Sequence, residues 1–472
     1  MMRIISFASL TLATAAHAFC GFYVAGGGAE LFNNATQVVL MREGTRTVLS
    51  MQNNYQGPPE NFAMVIPVPV VLQKENVKTL PSNVFARVDT LAAPRLVEYW
   101  EQDPCQPPPP PMGLNMFALG GGGNTRALSA KGADYQVKIE AQFSVGEYEI
   151  VVLSAKDALG LERWLKDNKY KIPEGAEPLF RPYIQQGMKF FVAKVDVKKV
   201  TFDEKTKMAA LSPLRFHYDS EKFELPVRLG LINAKSQQDL IVHILARNQR
   251  YEVANYPNVT IPTNIDLVPS AKTEFPYFYV SLFDRTLKNN PKAVVTEYAW
   301  QATSCDPCPT TPLTPADFQT LGADVIPSKG VVNDPYNPSE GFVLTRLHAR
   351  YDKTSLGEDL VFRAAKPIVG GREFLREGNS LEQGFREDTH NNFQGRYAIR
   401  YPWTGEVKCS NPLYGRWGGP PPGQQKSTGT ATGTAFVERD PKKVEKLAES
   451  PIAELELKGL KPKAGEALRV KK

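Results

Sequence analysis

Two cysteines separated by two residues, Cys305 and Cys308 in TSCDPCPTT, form the pair in this sequence whose spacing most clearly fits chemistry. A C-x-x-C spacing serves a redox dithiol, half of a zinc site, or a tight structural disulfide. A redox dithiol needs a thiolate of lowered pKa, usually at a helix N-terminus next to a strand. The run Val294–Ala299 reads as that strand, but Pro309, Pro312 and Pro315 interrupt the chain beyond Cys308. The first helical pattern, PADFQTLG, begins seven residues past Cys308. The prolines point to a rigid loop pinned by sulfur, with metal and redox roles as the alternatives.

A zinc site needs two further ligands, and no second C-x-x-C is present. Cys409 and the histidines His217, His243, His348 and His390 can serve only if the fold gathers them. His243 (LIVHILA) and His348 (LTRLHAR) lie in strand-like runs, where a satisfied packing histidine is the common role. His390, with Glu387, Asp388, Asn391 and Asn392 around it, is the most ligand-like, but the spacing matches no standard calcium loop and reads as a solvated turn. Hydrolase signatures of the Gly-x-Ser-x-Gly, His-Glu-x-x-His and Ser-x-x-Lys kinds are absent, as are the phosphate-cradling glycine patterns. No catalytic residue and no cofactor is therefore assigned. One other cluster has binding character: Trp403, Tyr414, Arg416 and Trp417. Aromatics beside arginine and glycine stack on sugars or Pro-rich peptides, or else close a β-rich core.

The first eighteen residues, MMRIISFASLTLATAAHA, carry one cation, an uncharged apolar run and an Ala-His-Ala end, the pattern of a cleaved secretory leader. Export makes all five cysteines (Cys20, Cys105, Cys305, Cys308, Cys409) structural disulfide candidates, with one left over. Cys20 and Cys105 bracket the first block and can bridge it. Cys409 can take a partner from the C-x-x-C pair, or Cys305 and Cys308 can join each other. No later stretch is long and apolar enough to span a bilayer, since the FAMVIPVPVVL run is short and holds Pro67 and Pro69. A formal charge of +6 over 472 residues is no nucleic-acid signature. The basic end, KGLKPKAGEALRVKK, reads as a solvated tail.

The elements that must position these residues are mostly strands. Val38–Met41 and Thr47–Ser50 around Gly44 read as a hairpin. FAMVIPVPVVL reads as an irregular strand, and NVFARVDTLAAPRLVEYWEQ as a helix in two pieces divided by Pro94, with Ser82 as N-cap. The stretch 105–126 is Pro- and Gly-rich and marks a linker or long loop after the N-terminal block 19–104. The central block, 127–269, offers strands in YQVKIEAQF, GEYEIVVLSA, LPVRLGLIN and DLIVHILARN, and a helix over 156–168. MKFFVAKVDVKKVTF and KMAALSPLRFHY read as a long hairpin. In 270–423, FPYFYVSLF, AVVTEYAWQA, GFVLTRLHARY, DLVFRAA and RYAIRYPW read as strands. The remainder, 424–472, reads as linker, a short helix in PKKVEKLAES, and tail.

The order CGFYV, NFAMVIPVP, AAPRLVEYW, GEYEIVVLSA with GLERWLKDNKYKIP, KFFVAKVD, SPLRFHY with LPVRLG, CDPC and GFVLTRLHARYD resembles one family of exported bacterial proteins, over roughly Cys20 to Trp417. That family is known only as a domain of unknown function, number twenty-three thirty. The resemblance implies export and a shared architecture but assigns no reaction. Some relatives end in a membrane anchor, and none is expected here. The sequence thus predicts a β-dominant α+β fold of antiparallel hairpins with a few helices. The expected role is non-catalytic binding or scaffolding of a cell-envelope component, glycan or protein, in the periplasm or outside the cell. The alternative is a thiol- or metal-dependent enzyme centred on Cys305 and Cys308.

Overall fold

The computed structural model describes residues 22–24, 32–33, 36–52, 54–56, 63–106, 137–168, 170, 176–200, 202–203, 208–232, 237–326, 341–351, 357–373, 382–424, 429–432 and 439–460. The leader, Cys20, most of the Pro/Gly-rich stretch and the basic tail beyond residue 460 lie outside them. The fold is β-dominant α+β. Ten elements matter below: strands β1 (Thr36–Glu43) and β2 (Arg46–Gln52), helix α1 (Asn83–Ala92), strands β3 (Arg95–Glu101), β4 (Leu214–Asp219) and β5 (Gln238–Arg247), helix α2 (Ala271–Asn289), and strands β6 (Val294–Gln301), β7 (Phe342–Tyr351) and β8 (Arg396–Tyr401).

An eleven-stranded sheet runs β6, β7, β5, β1, β2, β4 through its centre. β5 is antiparallel to β7 and parallel to β1. The β1–β2 hairpin forms as read, with Gly44 in the left-handed region its turn requires. A second, five-stranded sheet includes Ala63–Val68, Lys189–Val195, Tyr148–Ala155 and Val137–Val145. The two sheets face each other across one core, in which Met64, Ile150 and Phe191 meet Leu40, Phe216, Val242 and Leu347. Helices Ala158–Asp167 and Glu177–Gln185 cover the outer face of the smaller sheet, and α1 and α2 cover that of the larger. The layers are therefore helix, sheet, sheet, helix. Each fully buried Leu or Phe in such a core contributes about 1.5–3 kcal/mol. Sheet membership does not follow the sequence blocks: residues from 19–104, 127–269 and 270–423 pair within the largest sheet.

Several elements differ from the sequence reading. FPYFYVSLF is not a strand but the middle of the nineteen-residue helix α2. Its Phe275, Phe278, Tyr279, Leu282, Phe283 and Thr286 recur at three and four residues and are all buried, so helical periodicity prevails over the β preference of aromatics. The piece after Pro94 is the strand β3 rather than a second helix, paired in parallel with β8. Ser82 precedes α1 but makes no side-chain cap. The long hairpin is also not formed: Lys189–Val195 pairs with Tyr148–Ala155 and with Ala63–Val68, and β4 pairs with β2, leaving only a short pairing of Phe202–Asp203 with Met208–Ala210. LPVRLGLIN holds only the two-residue strand Glu224–Leu225 and a 3-10 turn over Arg228–Ile232. The short helix expected in PKKVEKLAES forms over Lys443–Leu447, and it and the residues after it are packed: Val444, Leu447, Ile452 and Leu455 are buried against α2 and its neighbours.

Candidate functional site

Strand β7 carries apolar residues toward the inter-sheet core, but its helix-facing side reads Arg346, His348, Arg350. Period-two alternation puts these on one face, opposite His243, Ile241 and Asp239 of β5. On the other side, β6 loses its register with β7 between Thr296 and Tyr298. This bulge turns Glu297 and Tyr298, adjacent in sequence, toward the same helical layer. Asp89 comes from α1, and Tyr279, Phe283 and Asp284 from α2.

The result is a continuous buried ion network. Arg346 donates from Nε to Glu297 Oε2 at 2.6 Å and from Nη1 to Asp89 Oδ1. His243 Nε2 lies 3.2 Å from the same Nη1. Glu297 Oε1 receives the Tyr279 hydroxyl and pairs with His348 Nδ1 at 2.6 Å. His348 Nε2 faces Asp239 Oδ1 at 3.6 Å, and its ring stacks on Phe283 with centroids 3.7 Å apart. Arg350 joins Asp239 to Asp284, and Arg439, from the C-terminal segment, donates to both from the surface side. Four carboxylates (Asp89, Asp239, Asp284, Glu297) face three guanidiniums (Arg346, Arg350, Arg439), and His348, 2.6 Å from Glu297, balances the count as the fourth cation when protonated.

Electrostatics agree with this count. Burial opposes the charge on His348, but Glu297 and then Asp239 outweigh it and raise its pKa. Burial also works to raise the carboxyls; His348 and Arg346 hold Glu297 down at about 2, and Arg350 and His348 hold Asp239 well below the ordinary range. His243 goes the other way: burial and then Arg346 push it down to about 3, so it is neutral. The surroundings therefore shift the two buried histidines in opposite directions. The arrangement ties β5, β6, β7, α1 and α2 together through paired charges inside the wall of the fold.

A second cluster lies where β3 and β8 end. Trp100 and Tyr401 stack at 5.0 Å, and the Tyr401 hydroxyl donates to Glu98 at 2.9 Å. On the opposite face Arg400 lies between Tyr99 and Trp417, 5.3 and 5.2 Å from the rings. The chain from 402 to 419 wraps this strand end as a clasp. The Glu101 carboxylate accepts the backbone N–H of Trp403 at 2.9 Å and of Gly415 at 2.8 Å. Gln102 N–H donates to the Arg416 carbonyl and Leu413 N–H to that of Pro104. Cys105 is bridged to Cys409. That bridge closes a loop of 304 residues, for which chain entropy gives about 6 kcal/mol, against about 2 kcal/mol for the second bridge, Cys305–Cys308.

The model of one family, described as an uncharacterized protein conserved in bacteria (DUF2330), matches residues 14–363. The chain belongs to the DUF2330 family. No curated protein and no solved structure matches it.

In this DUF2330 chain the residues singled out by sequence are not gathered into one site. Cys105 is joined to Cys409 and not to Cys20, so the bridge expected across the first block is replaced by one between the end of β3 and the clasp. Trp403, Tyr414, Arg416 and Trp417 are brought together by the clasp, with Arg416 donating to the Asp103 and Leu413 carbonyls. His217 is half-buried beside Asn76, at 3.2 Å. His390 is exposed, 3.7 Å from Asp388. Among the described residues no group of three or more His, Cys, Asp and Glu is placed to hold a metal ion. The sequence reading passed over Asp89, Asp239, Glu297, Arg346 and Arg350. A signal existed, since Arg346, His348 and Arg350 recur at every second position of an otherwise apolar strand.

Proposed function

We propose that this protein is an exported, non-catalytic binding protein of the bacterial cell envelope that holds a glycan chain on the clasp over 402–419. Three features support export: the leader pattern at the N-terminus, the two disulfides, and the absence among the described residues of a helix long and apolar enough to cross a membrane. The observation that carries the binding reading is where apolar surface is left uncovered. Of the seven exposed large hydrophobics among the described residues, Val407, Leu413 and Tyr414 lie in this one loop, 38%, 54% and 38% exposed. The same strand end and loop carry Trp100, Tyr401, Trp403 and Trp417, all half-buried. The disulfide and Glu101 hold the loop in place, so a ligand would not have to order it. Aromatic faces flanked by carboxylates and arginines match the alternating apolar and hydroxylated faces of a sugar.

The test is intrinsic tryptophan fluorescence titrated with soluble cell-wall glycan fragments. Saturable quenching is expected, and Leu413→Ala together with Tyr414→Ala should abolish it while leaving the circular dichroism spectrum unchanged. Quenching that survives the double substitution would remove the clasp from the reading, and no quenching by any fragment would remove the glycan.

A further inference from the structure

The loop that carries Cys305 and Cys308 is held in place by groups other than its disulfide. Gln394 Nε2 donates to the Asp306 carbonyl at 2.6 Å, and Arg95 Nη1 to the Pro307 carbonyl at 2.7 Å. At its two ends, Ala302 N–H donates to the Phe342 carbonyl and Leu313 N–H to that of Ala302. The bridge itself spans a sequence separation of only three. Opening it therefore frees little chain.

Arg95 is fully buried at the start of β3. Its Nη2 donates to the Leu91 carbonyl at 2.6 Å, and its guanidinium lies over the Tyr298 ring at 5.5 Å. The Nη1 and Nη2 hydrogen bonds of this cation both go to carbonyl oxygens, and one of them belongs to the residue immediately before Cys308. A positive charge at that place favours a thiolate, with the exposed Asp306 of the same loop opposing it. Cys308 is exposed, while Cys305 is half-buried against the cluster that includes Leu313 and Phe318.

We infer that Cys305–Cys308 is a reversible redox site, opened in the folded protein by an external dithiol, whereas Cys105–Cys409 is a permanent staple. A thiolate of the reductant bonds to the accessible Cys308 Sγ as the Cys305–Cys308 bond breaks, and Cys305 departs as a thiolate. The reductant's second thiolate then attacks its own sulfur in the mixed disulfide and releases Cys308. The dithiol leaves as a disulfide, and its two electrons and two protons end on the two cysteines. The first helix downstream starts at Pro315, so neither sulfur has the helix N-terminus of a thiol oxidoreductase. The site is the target of such chemistry and not its catalyst. This goes beyond the binding role proposed above and does not depend on it.

The test is pulse alkylation of the folded full-length chain across graded dithiothreitol, with peptide mass spectrometry and near-ultraviolet circular dichroism on the same samples. Cys305 and Cys308 should label at about tenfold less reductant than Cys105 and Cys409, with the dichroism unchanged. Opening of both bridges together, or labelling of Cys305 and Cys308 only once the dichroism is lost, would overturn the inference. A second measurement uses Cys305→Ser, which leaves Cys308 as the loop's single thiol. Its alkylation should titrate below the ordinary thiol value of about 8.5, and lower still with Asp306→Asn added. Titration at or above 8.5 in both variants would show that Arg95 does not activate the site and would remove that part of the argument.

Discussion

Replacing His348 by Gln tests the charge count of the buried network directly. The substitution keeps a polar side chain of similar reach but removes the one titratable cation. Glu297 then loses a partner at 2.6 Å and Asp239 one at 3.6 Å. At an effective dielectric near 20, those two attractions sum to roughly 10 kcal/mol gross. Desolvating the imidazolium offsets several kcal/mol of that, leaving a cost of about 3–5 kcal/mol for breaking a buried pair. The sign of the pH dependence follows from the raised pKa of His348 in the fold. Its contribution is fully present below the unfolded value of 6.5 and is lost as pH rises through the folded value. Denaturant unfolding of the two proteins between pH 6 and pH 9 should therefore show a wide gap at pH 6 that closes upward, because the parent loses stability while His348→Gln stays flat. A gap under about 1 kcal/mol at pH 6, or one that does not narrow, would refute the protonated-histidine account.

Three further outcomes rest on the same geometry. His243 is held at about 3 against 6.5 unfolded, so it costs stability as pH falls from 6.5 toward 3; His243→Asn should unfold at lower pH than the parent, monitored by near-ultraviolet circular dichroism. Glu297→Gln should cost about 3–5 kcal/mol by itself, and combined with His348→Gln it should cost at least about 1 kcal/mol less than the two singly, measured as a double-mutant cycle in denaturant. The paired Cys105→Ser and Cys409→Ser substitutions should destabilise by about 6 kcal/mol and the Cys305→Ser, Cys308→Ser pair by about 2 kcal/mol, compared in the same unfolding assay.

How much of this could be read from sequence depended on whether the decisive interaction was local. The β1–β2 hairpin was legible because a short turn with Gly44 and two β-branched runs determine it. So were the strands β5, β6 and β7 and the helix Ala158–Asp167, whose patterns are strong within ten residues. The helix α2 was lost because its aromatic run suits a strand by composition and a helix by spacing, and its burial on the large sheet decides. The strand β3 was lost because its seven residues have no hairpin partner nearby: their neighbour β8 lies some three hundred positions away. The buried network was hidden for the same reason. Asp89, Asp239, Glu297 and Arg346 come from separate elements, and only the bulge beside Glu297 points its carboxylate at Arg346 and His348. The clasp aromatics were legible as a group, since they are close in sequence, but the glutamate that organises them, Glu101, was not.

The span of the family match separates the two clusters. Every member of the buried network except Arg439 lies within residues 14–363, whereas Tyr401, Trp403, Leu413, Tyr414 and Trp417 all lie beyond it. A network that fixes the register of five elements belongs to the architecture, and its residues fall in the matched core. The clasp instead adds β8 and a disulfide-pinned loop to β3, a strand the core already supplies. Arg439 obeys the same logic from the other side: a residue outside the match completes the charge count of residues inside it, at the point where Asp239 and Asp284 meet the surface. With Arg439 removed, Arg350 and His348 would be left to balance both carboxylates. The described parts of the chain beyond residue 363 thus include Arg439, which adds charge at one surface of the core, and the clasp, which adds aromatic area at another, the area on which the proposed glycan would lie.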